Sequence, residues 1–414
     1  MTTAGIRRAL TPTEEIYAAV EMYVGYTVRT VGRLDPEALR AAYQAVCRTY
    51  PQLASRLEHG EEGPVLVECE TCPDVQFSDG DLERPLVCAE LDQHRSLSAL
   101  DVVRDGDGAS VTLVTHHSIA DAPQSLAVLA DLWSRYTDAV RGVPVETPRR
   151  PYPRPLEDLL AERGIHGVSS AGEGDSRPSP GKVGQANGYA WPTLVRHVAQ
   201  CRLTATETTA LSELCHREHV TIHGLLSGVI LLVEAETRDL PLTDLVYRYT
   251  VDLRGRLTPR VGPAEGTNVL GGVVFRADDG IAPDAVTLGR AIGEQLRAGL
   301  ADGSVQRSLL DMVAHHQRAD AAPAPQPPPG RAVVSMTNWG VVPPLRTPDD
   351  LRATNFHSSS RRRVAPGDSA GVGGYVVTTF GGRLGIDLAW PTRDAEQSRR
   401  LDCLRERLHR MLRS

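Results

Sequence analysis

Ala109-Ser110-Val111-Thr112-Leu113-Val114-Thr115-His116-His117-Ser118-Ile119-Ala120-Asp121 is the stretch on which the reading of this chain turns. Its first seven residues are small or rich in β-formers and predict a strand. Two histidines close that strand, and a carboxylate follows four residues after the second. Strand residues alternate between faces, so His116 and His117 are expected to point different ways, with only one facing a substrate. Pro123 to Tyr136 then carries apolar residues at helical spacing. Asp121 falls where an N-cap or first-turn residue belongs. The HHxxxD cluster therefore sits at a strand-to-helix junction, with an imidazole available as a positioned base.

The same letters recur at His315-His316-Gln317-Arg318-Ala319-Asp320, and even the next residue is alanine in both copies. Context separates them. The second copy follows Ser308 to Ala314, a helix-like run, and enters a Pro-rich segment. Histidines near a helix C-terminus have a plain role there, favouring the helix dipole. The first copy is the one read as functional.

The composition excludes several classes. Net charge is −7, aromatics make up 5 %, and Arg far outnumbers Lys. A mildly acidic, aromatic-poor chain is a poor general binder of nucleic acid. No run of about 18 apolar residues occurs, so no spanning helix is expected. The first ten residues hold no apolar stretch of signal-peptide type. Seven cysteines in 414 residues then read as reduced thiols of a cytoplasmic protein. Cys69 and Cys72 form a lone CxxC whose spacing to Cys88 and His94 fits no standard zinc pattern. No metal is expected.

Strand and helix patterns interleave along the chain. Helices are expected from Thr11-Pro12, from Asp35-Pro36-Glu37 to Thr49, over 204–216, 221–237 and 285–300, and at the C-terminus. Strands are expected over 193–203, 245–251 and 332–337, with a hairpin around Gly381-Gly382. The segment 166–188 is rich in Gly, Ser and Pro. We read an N-terminal lobe over 1–165, a linker over 166–190 and a C-terminal lobe over 191–414. The fold class is α/β, built as α+β two-layer sandwiches.

The first cluster, taken with Asp252-Leu253-Arg254, resembles the condensation-domain superfamily of acyltransferases. Pro51 to Glu58, Ser134 to Val140, Glu265 to Gly271 and Leu296 to Gly303 look like its polyketide-associated branch, the phthiocerol/phthiodiolone dimycocerosyl transferases. The resemblance runs from about residue 6 to the C-terminus. It implies two chloramphenicol-acetyltransferase-like lobes forming a pseudo-dimer, with a tunnel between them and the histidines at its middle. It departs at Ala122, where the family motif carries glycine, and matches poorly over 166–188 and at Arg361-Arg362-Arg363.

The resemblance also assigns roles. His117 matches the family's general base, while His116 is expected to face away and orient the loop. Asp121 reads either as a third triad member or, as we prefer, as the partner of Arg254 in holding the loop. Asn268, Asn338 and Trp339 are tunnel-lining candidates, with strand-end turn residues as the plain alternative. Arg297 matches a carrier-docking arginine, with an ordinary solvated helix arginine as the alternative.

The function implied is acyl transfer from a phosphopantetheine-linked donor, an acyl carrier protein or CoA, to a hydroxyl, forming an ester. No bound cofactor is implied. The partners implied are a carrier protein or polyketide synthase and a hydroxylated lipid or polyketide, and the protein is expected to act as a monomer. Amide formation, a different carrier-bound step such as dehydration or cyclisation, and a non-catalytic docking module are the alternatives.

Overall fold

A computed structural model describes residues 5, 7–61, 63–84, 91–144, 147–167, 193–195, 197–319, 332–363, 373–390 and 395–413 of the chain. The N-terminal part runs β1 (Arg7–Ala9), α1 (Pro12–Ala19), β2 (Tyr23–Gly32), α2 (Pro36–Thr49), β3 (Ser55–Gly60), β4 (Gly63–Glu68), β5 (Val75–Asp79), β6 (Ser98–Asp105), β7 (Gly108–His116), α3 (Ala122–Val140) and α4 (Leu156–Ala161). The C-terminal part continues with β8 (Thr193–Val195), β9 (His197–Arg202), α5 (Ala205–Arg217), α6 (Ile222–Arg238), β10 (Leu245–Asp252), β11 (Leu270–Phe275), α7 (Ala285–Ala301), α8 (Ser304–Ala319), β12 (Ala332–Val341), β13 (Leu351–Arg363), β14 (Gly374–Phe380), β15 (Arg383–Trp390) and α9 (Ala395–Arg413).

Local chemistry accounts for most of these boundaries. Asp35 caps α2 by accepting from the N–H groups of Glu37 and Ala38, and Pro36 fills the first helical position. Thr204 and Thr221 cap α5 and α6 in the same way. Gly381 and Gly382 turn the β14–β15 hairpin with φ of 55° and 74°, a left-handed pair that side chains resist.

Two six-stranded sheets organise the molecule, one ordered β5-β6-β7-β2-β13-β8 and the other β11-β10-β12-β14-β15-β9, beside a small β1-β4-β3 sheet. Each large sheet has its own apolar core. In the first, Val28, Val111 and Leu113 meet Val46, Leu129 and Trp133 of α2 and α3. In the second, Val334, Val377 and Ile386 meet Leu225, Ile230, Ile292 and Leu404 of α6, α7 and α9. The protein is thus a two-lobed α/β fold.

Sheet membership does not follow a single cut in the chain. β13 leaves the C-terminal half and pairs antiparallel with β2 over nearly its full length, from Leu351↔Gly32 to Arg361↔Tyr23. The expected strand over 193–203 is two strands in different sheets, β8 beside β13 and β9 beside β15. Most of the predicted linker, 168–190, lies outside the described residues. Gln200 and Asp387 of the second sheet bond to Phe356 and Ser358 of β13, so the two sheets meet along that strand. No single described helix is long and apolar enough to cross a membrane; only α5 and α6 taken together, bent by 101°, pass on length and composition. α6 is a core helix with most of its residues buried.

Candidate active site

β7 carries the cluster to the edge of its lobe. The N–H of His116 still donates to Leu97 O at 2.8 Å, and that of His117 donates to Met22 O at 2.7 Å. The two rings then diverge. His116 is fully buried. Its Nδ1 meets Ser118 Oγ at 2.7 Å and accepts the Ser118 N–H at 3.2 Å, and the ring sits edge-on to Tyr23 at 4.8 Å. Burial pushes its pKa down to about 3. It is a neutral ring that shapes the turn.

His117 has different surroundings. Its Nδ1 lies 3.0 Å from Asn268 Oδ1, while Asn268 Nδ2 donates to the His117 carbonyl at 2.8 Å. The amide is oriented by that second bond, so Oδ1 can only accept and Nδ1 must carry the proton. The neutral ring then presents an unprotonated Nε2. Tyr17 of α1 covers one ring face, with centroids 4.0 Å apart and planes 6° from parallel. Burial lowers the pKa of His117, while the Asp121 charge and the Asn268 bond oppose the shift only in part. The ring is a neutral acceptor near pH 7.

Asp121 is the N-cap of α3, accepting from the Gln124 N–H at 3.2 Å. Its carboxylate is fully buried and faces Arg254, which donates from Nη1 at 2.7 Å and from Nη2 at 2.8 Å. The Val269 N–H adds a fourth bond at 2.9 Å. Arg254 also reaches Asp252 and the Gly266 carbonyl. Asp121 therefore does not stand behind Nδ1 of His117, and Asn268 occupies the position a triad acid would take. Ala122 is the first residue of α3 and is not among the residues with positive φ. A methyl group in place of the motif glycine is unstrained there.

One connection supplies three contacts between the lobes at the site. The 253–269 segment between β10 and β11 carries Arg254 to Asp121, Asn268 to His117 and Thr267 to Glu14. Glu14 is buried, paired with Arg8 at 2.8 and 2.9 Å, and accepts from Thr267 Oγ1 at 2.9 Å. Thr11-Pro12-Thr13-Glu14 is legible in sequence as a helix start. Nothing in the sequence marks Glu14 as a cross-lobe anchor or Tyr17, three residues on, as the neighbour of His117.

Comparisons with known proteins place the chain in a family. A family model described as phthiocerol/phthiodiolone dimycocerosyl transferase C-terminus matches residues 192–389. The phthiocerol/phthiodiolone dimycocerosyl transferase of Mycobacterium ulcerans is 32 % identical over 94 % of this chain and 93 % of its own length. The chain belongs to this transferase family. Among solved structures, polyketide synthase associated protein 5 of Mycobacterium tuberculosis aligns over 100 % of both chains with a TM-score of 0.79 at 28 % identity. The first condensation domain of the calcium-dependent antibiotic synthetase shares the fold, with a TM-score of 0.65 at 15 % identity over 99 % of this chain and 96 % of its own. Membership makes the chain an ester-forming acyltransferase with an activated acyl donor.

The remaining sequence candidates of this transferase lie apart from His117 in their bonding. Asn338 Oδ1 accepts the Gly340 N–H at 2.9 Å and closes a bulge in β12, where Gly340 has φ of 74°. Trp339, at that bulge, packs against Tyr26 at 4.9 Å and Phe356 at 6.4 Å. Arg297 stands on α7 with its side chain 74 % exposed and Glu294 4.0 Å away. Arg363 is ion-paired with Glu21, and all of Arg361-Arg362-Arg363 lies in β13. The second HHxxxD begins in helix α8 with His315 exposed, and Asp320 lies outside the described residues. Of the CxxC group, His94 Nδ1 meets the Leu57 carbonyl at 3.1 Å, and Cys88 lies outside the described residues. Among the described residues no set of three His, Cys, Asp or Glu side chains is placed to hold a metal.

Proposed function

We propose that His117 is the general base of an acyl transfer from a phosphopantetheine thioester to an alcohol. The observation that carries this reading is the fixed tautomer of His117, whose Nδ1–H is held by Asn268 and whose Nε2 is left to accept. The hydroxyl oxygen attacks the thioester carbonyl carbon as its proton passes to Nε2. The tetrahedral intermediate then collapses, the C–S bond breaks, and the departing thiolate takes the proton back. No acyl-enzyme is required. A positioned base contributes about 10²–10⁴-fold, and the remainder comes from holding both substrates together and from oxyanion stabilisation.

Asp121 and Arg254 hold the loop in this reading and take no proton. The substrates meet His117 in a tunnel between the lobes. Trp339 belongs to its wall, because its contacts with Tyr26 and Phe356 join β12 to the first sheet. The donor is carrier-linked, and the exposed guanidinium of Arg297 is a docking contact for an acidic carrier. The acceptor is a hydroxylated lipid or polyketide, in keeping with the phthiocerol/phthiodiolone named for the relatives. The free thiols of Cys47, Cys69, Cys72, Cys201, Cys215 and Cys403 support a cytoplasmic setting.

Acyl carrier proteins and CoA thioesters of graded chain length, each offered with alcohols and amines, test this by thioester loss and product mass. Esters formed from carrier donors, lost in His117→Ala and with a raised KM for the carrier alone in Arg297→Ala, are the expected result. Full turnover by His117→Ala, or amides as the main product, overturns it.

A further inference from the structure

We infer that Tyr17 is a positioning residue for the base, a stacked wall that keeps the imidazole of His117 in one of its two flipped orientations. The inference rests on the reading of His117 as the base and adds a residue from outside the HHxxxD motif.

A single bond to Nδ1 does not fix a histidine ring. Rotation of the ring by a half turn exchanges Nδ1 for Cδ2, which breaks the bond to Asn268 and carries Nε2 away from its line of attack. The ring must swing edge-on through the volume beside its face to do this. Tyr17 fills that volume. Its ring lies parallel to the imidazole within 6° at a centroid distance of 4.0 Å, close to van der Waals contact across the whole face. The opposite edge of the residue is held by the Met22 carbonyl on the N–H and by Asn268 on the C=O.

The wall is itself fixed. Tyr17 stands three residues after Glu14 on α1, so the two share one face of the helix. Glu14 is locked by Arg8 on one side and by Thr267 on the other. Thr13 adds two bonds at 2.9 Å to the carboxylate of Glu157 on α4. Thr267 immediately precedes Asn268, so the clamp on Nδ1 and the anchor of the stacking ring come from adjacent residues of one loop. A phenol face also favours an imidazolium over a neutral ring, because its π cloud attracts the charge that appears once Nε2 takes a proton.

Three variants and two readouts test this. Tyr17→Leu keeps an apolar side chain without the ring, Tyr17→Phe keeps the ring without the hydroxyl, and His117→Ala reports on the base itself. Nitrogen-15 NMR of labelled histidines gives the His117 tautomer whether or not the chemistry proceeds. In Tyr17→Leu we expect kcat to fall about 10–100-fold, the range that misplacement of a reacting group by about 1 Å produces, with KM for both substrates within about two-fold. The single Nδ1–H signature of His117 is expected to give way to a mixture, and the acid limb of the pH profile to move to lower pH. Tyr17→Phe is expected to restore kcat, the tautomer and the pH profile. A Tyr17→Leu protein that melts with the parent and keeps both the pure tautomer and the parent kcat overturns the inference. If His117→Ala retains turnover, the reading of the base fails instead, and the tautomer spectrum still decides whether Tyr17 holds the ring.

Discussion

Arg254 grips both carboxylate oxygens of Asp121, at 2.7 and 2.8 Å, across 133 residues of chain. Both side chains are buried, at 6 % and 0 % exposure, so neither charge has water to fall back on. The pair joins the end of the HHxxxD loop to the connection after β10. It is a structural tie within the HHxxxD motif, and under the proposed roles the two kinds of motif residue should fail in different ways.

Removing one partner of a buried pair leaves an uncompensated charge and costs about 3–5 kcal/mol. Asp121→Ala is therefore expected to lose stability and activity together. His117→Ala keeps the pair and is expected to melt close to the parent while losing turnover. Urea or thermal melts of the two variants check this, and equal melting temperatures would contradict the assignment.

Asn268→Asp places a carboxylate against Nδ1 of His117 where an amide oxygen now stands. An adjacent negative charge favours the imidazolium, so the pKa of the base rises. The acid limb of kcat/KM is expected to shift towards neutral pH, by about one unit or more for a partly buried charge at hydrogen-bond distance. A profile unchanged in position would show that this contact does not set the ionisation of His117.

The parent enzyme has its own pH signature. A base at His117, as proposed, works only when neutral, and burial lowers its pKa below the usual value of about 6.5. Activity is expected to be flat through pH 7 and 8 and to fall only as the pH drops below that usual value. The limb should be present in kcat/KM and absent as a simple step in any residual rate of His117→Ala. A limb centred above pH 7 would place the base elsewhere.

Ala122→Gly restores the residue more usual in the motif. Ala122 lies in ordinary helical backbone at the start of α3, so glycine gains nothing there and loses about 0.5–1 kcal/mol at most. The expected outcome is a slight fall in melting temperature, with kcat within about two-fold of the parent. A large gain in rate would mean that the methyl group obstructs the site.

Much of the fold was legible because local chemistry writes it. Capping residues such as Asp35, Thr204 and Thr221, the apolar periodicity of α6, and the Gly381-Gly382 turn depend on near neighbours. β13 was not legible. Leu351 to Arg363 shows no clean alternation, because Phe356, His357, Ser358 and Ser359 are all buried. Its inward polar groups are satisfied by distant ones, as when Asp387 accepts from the N–H and Oγ of Ser358. Asn338 was legible as a residue of interest, but its bond to Gly340 follows from a β12 strand longer than its apolar core suggested.

The sequence by itself determined the strand, the turn and the helix that present HHxxxD, and with the downstream blocks it determined the family. Those features rest on contacts within a few residues, or on patterns carried whole from relatives. Only the tertiary structure decided what each polar group faces. It turned His116 onto Ser118, set Asn268 rather than Asp121 behind His117, and brought Tyr17 and Glu14 to the site from a helix 100 residues upstream of the motif. The physical reason is that a side chain's hydrogen bonds and stacking partners are fixed by where separate segments meet, and the 253–269 connection meets residues more than 100 positions away in the chain.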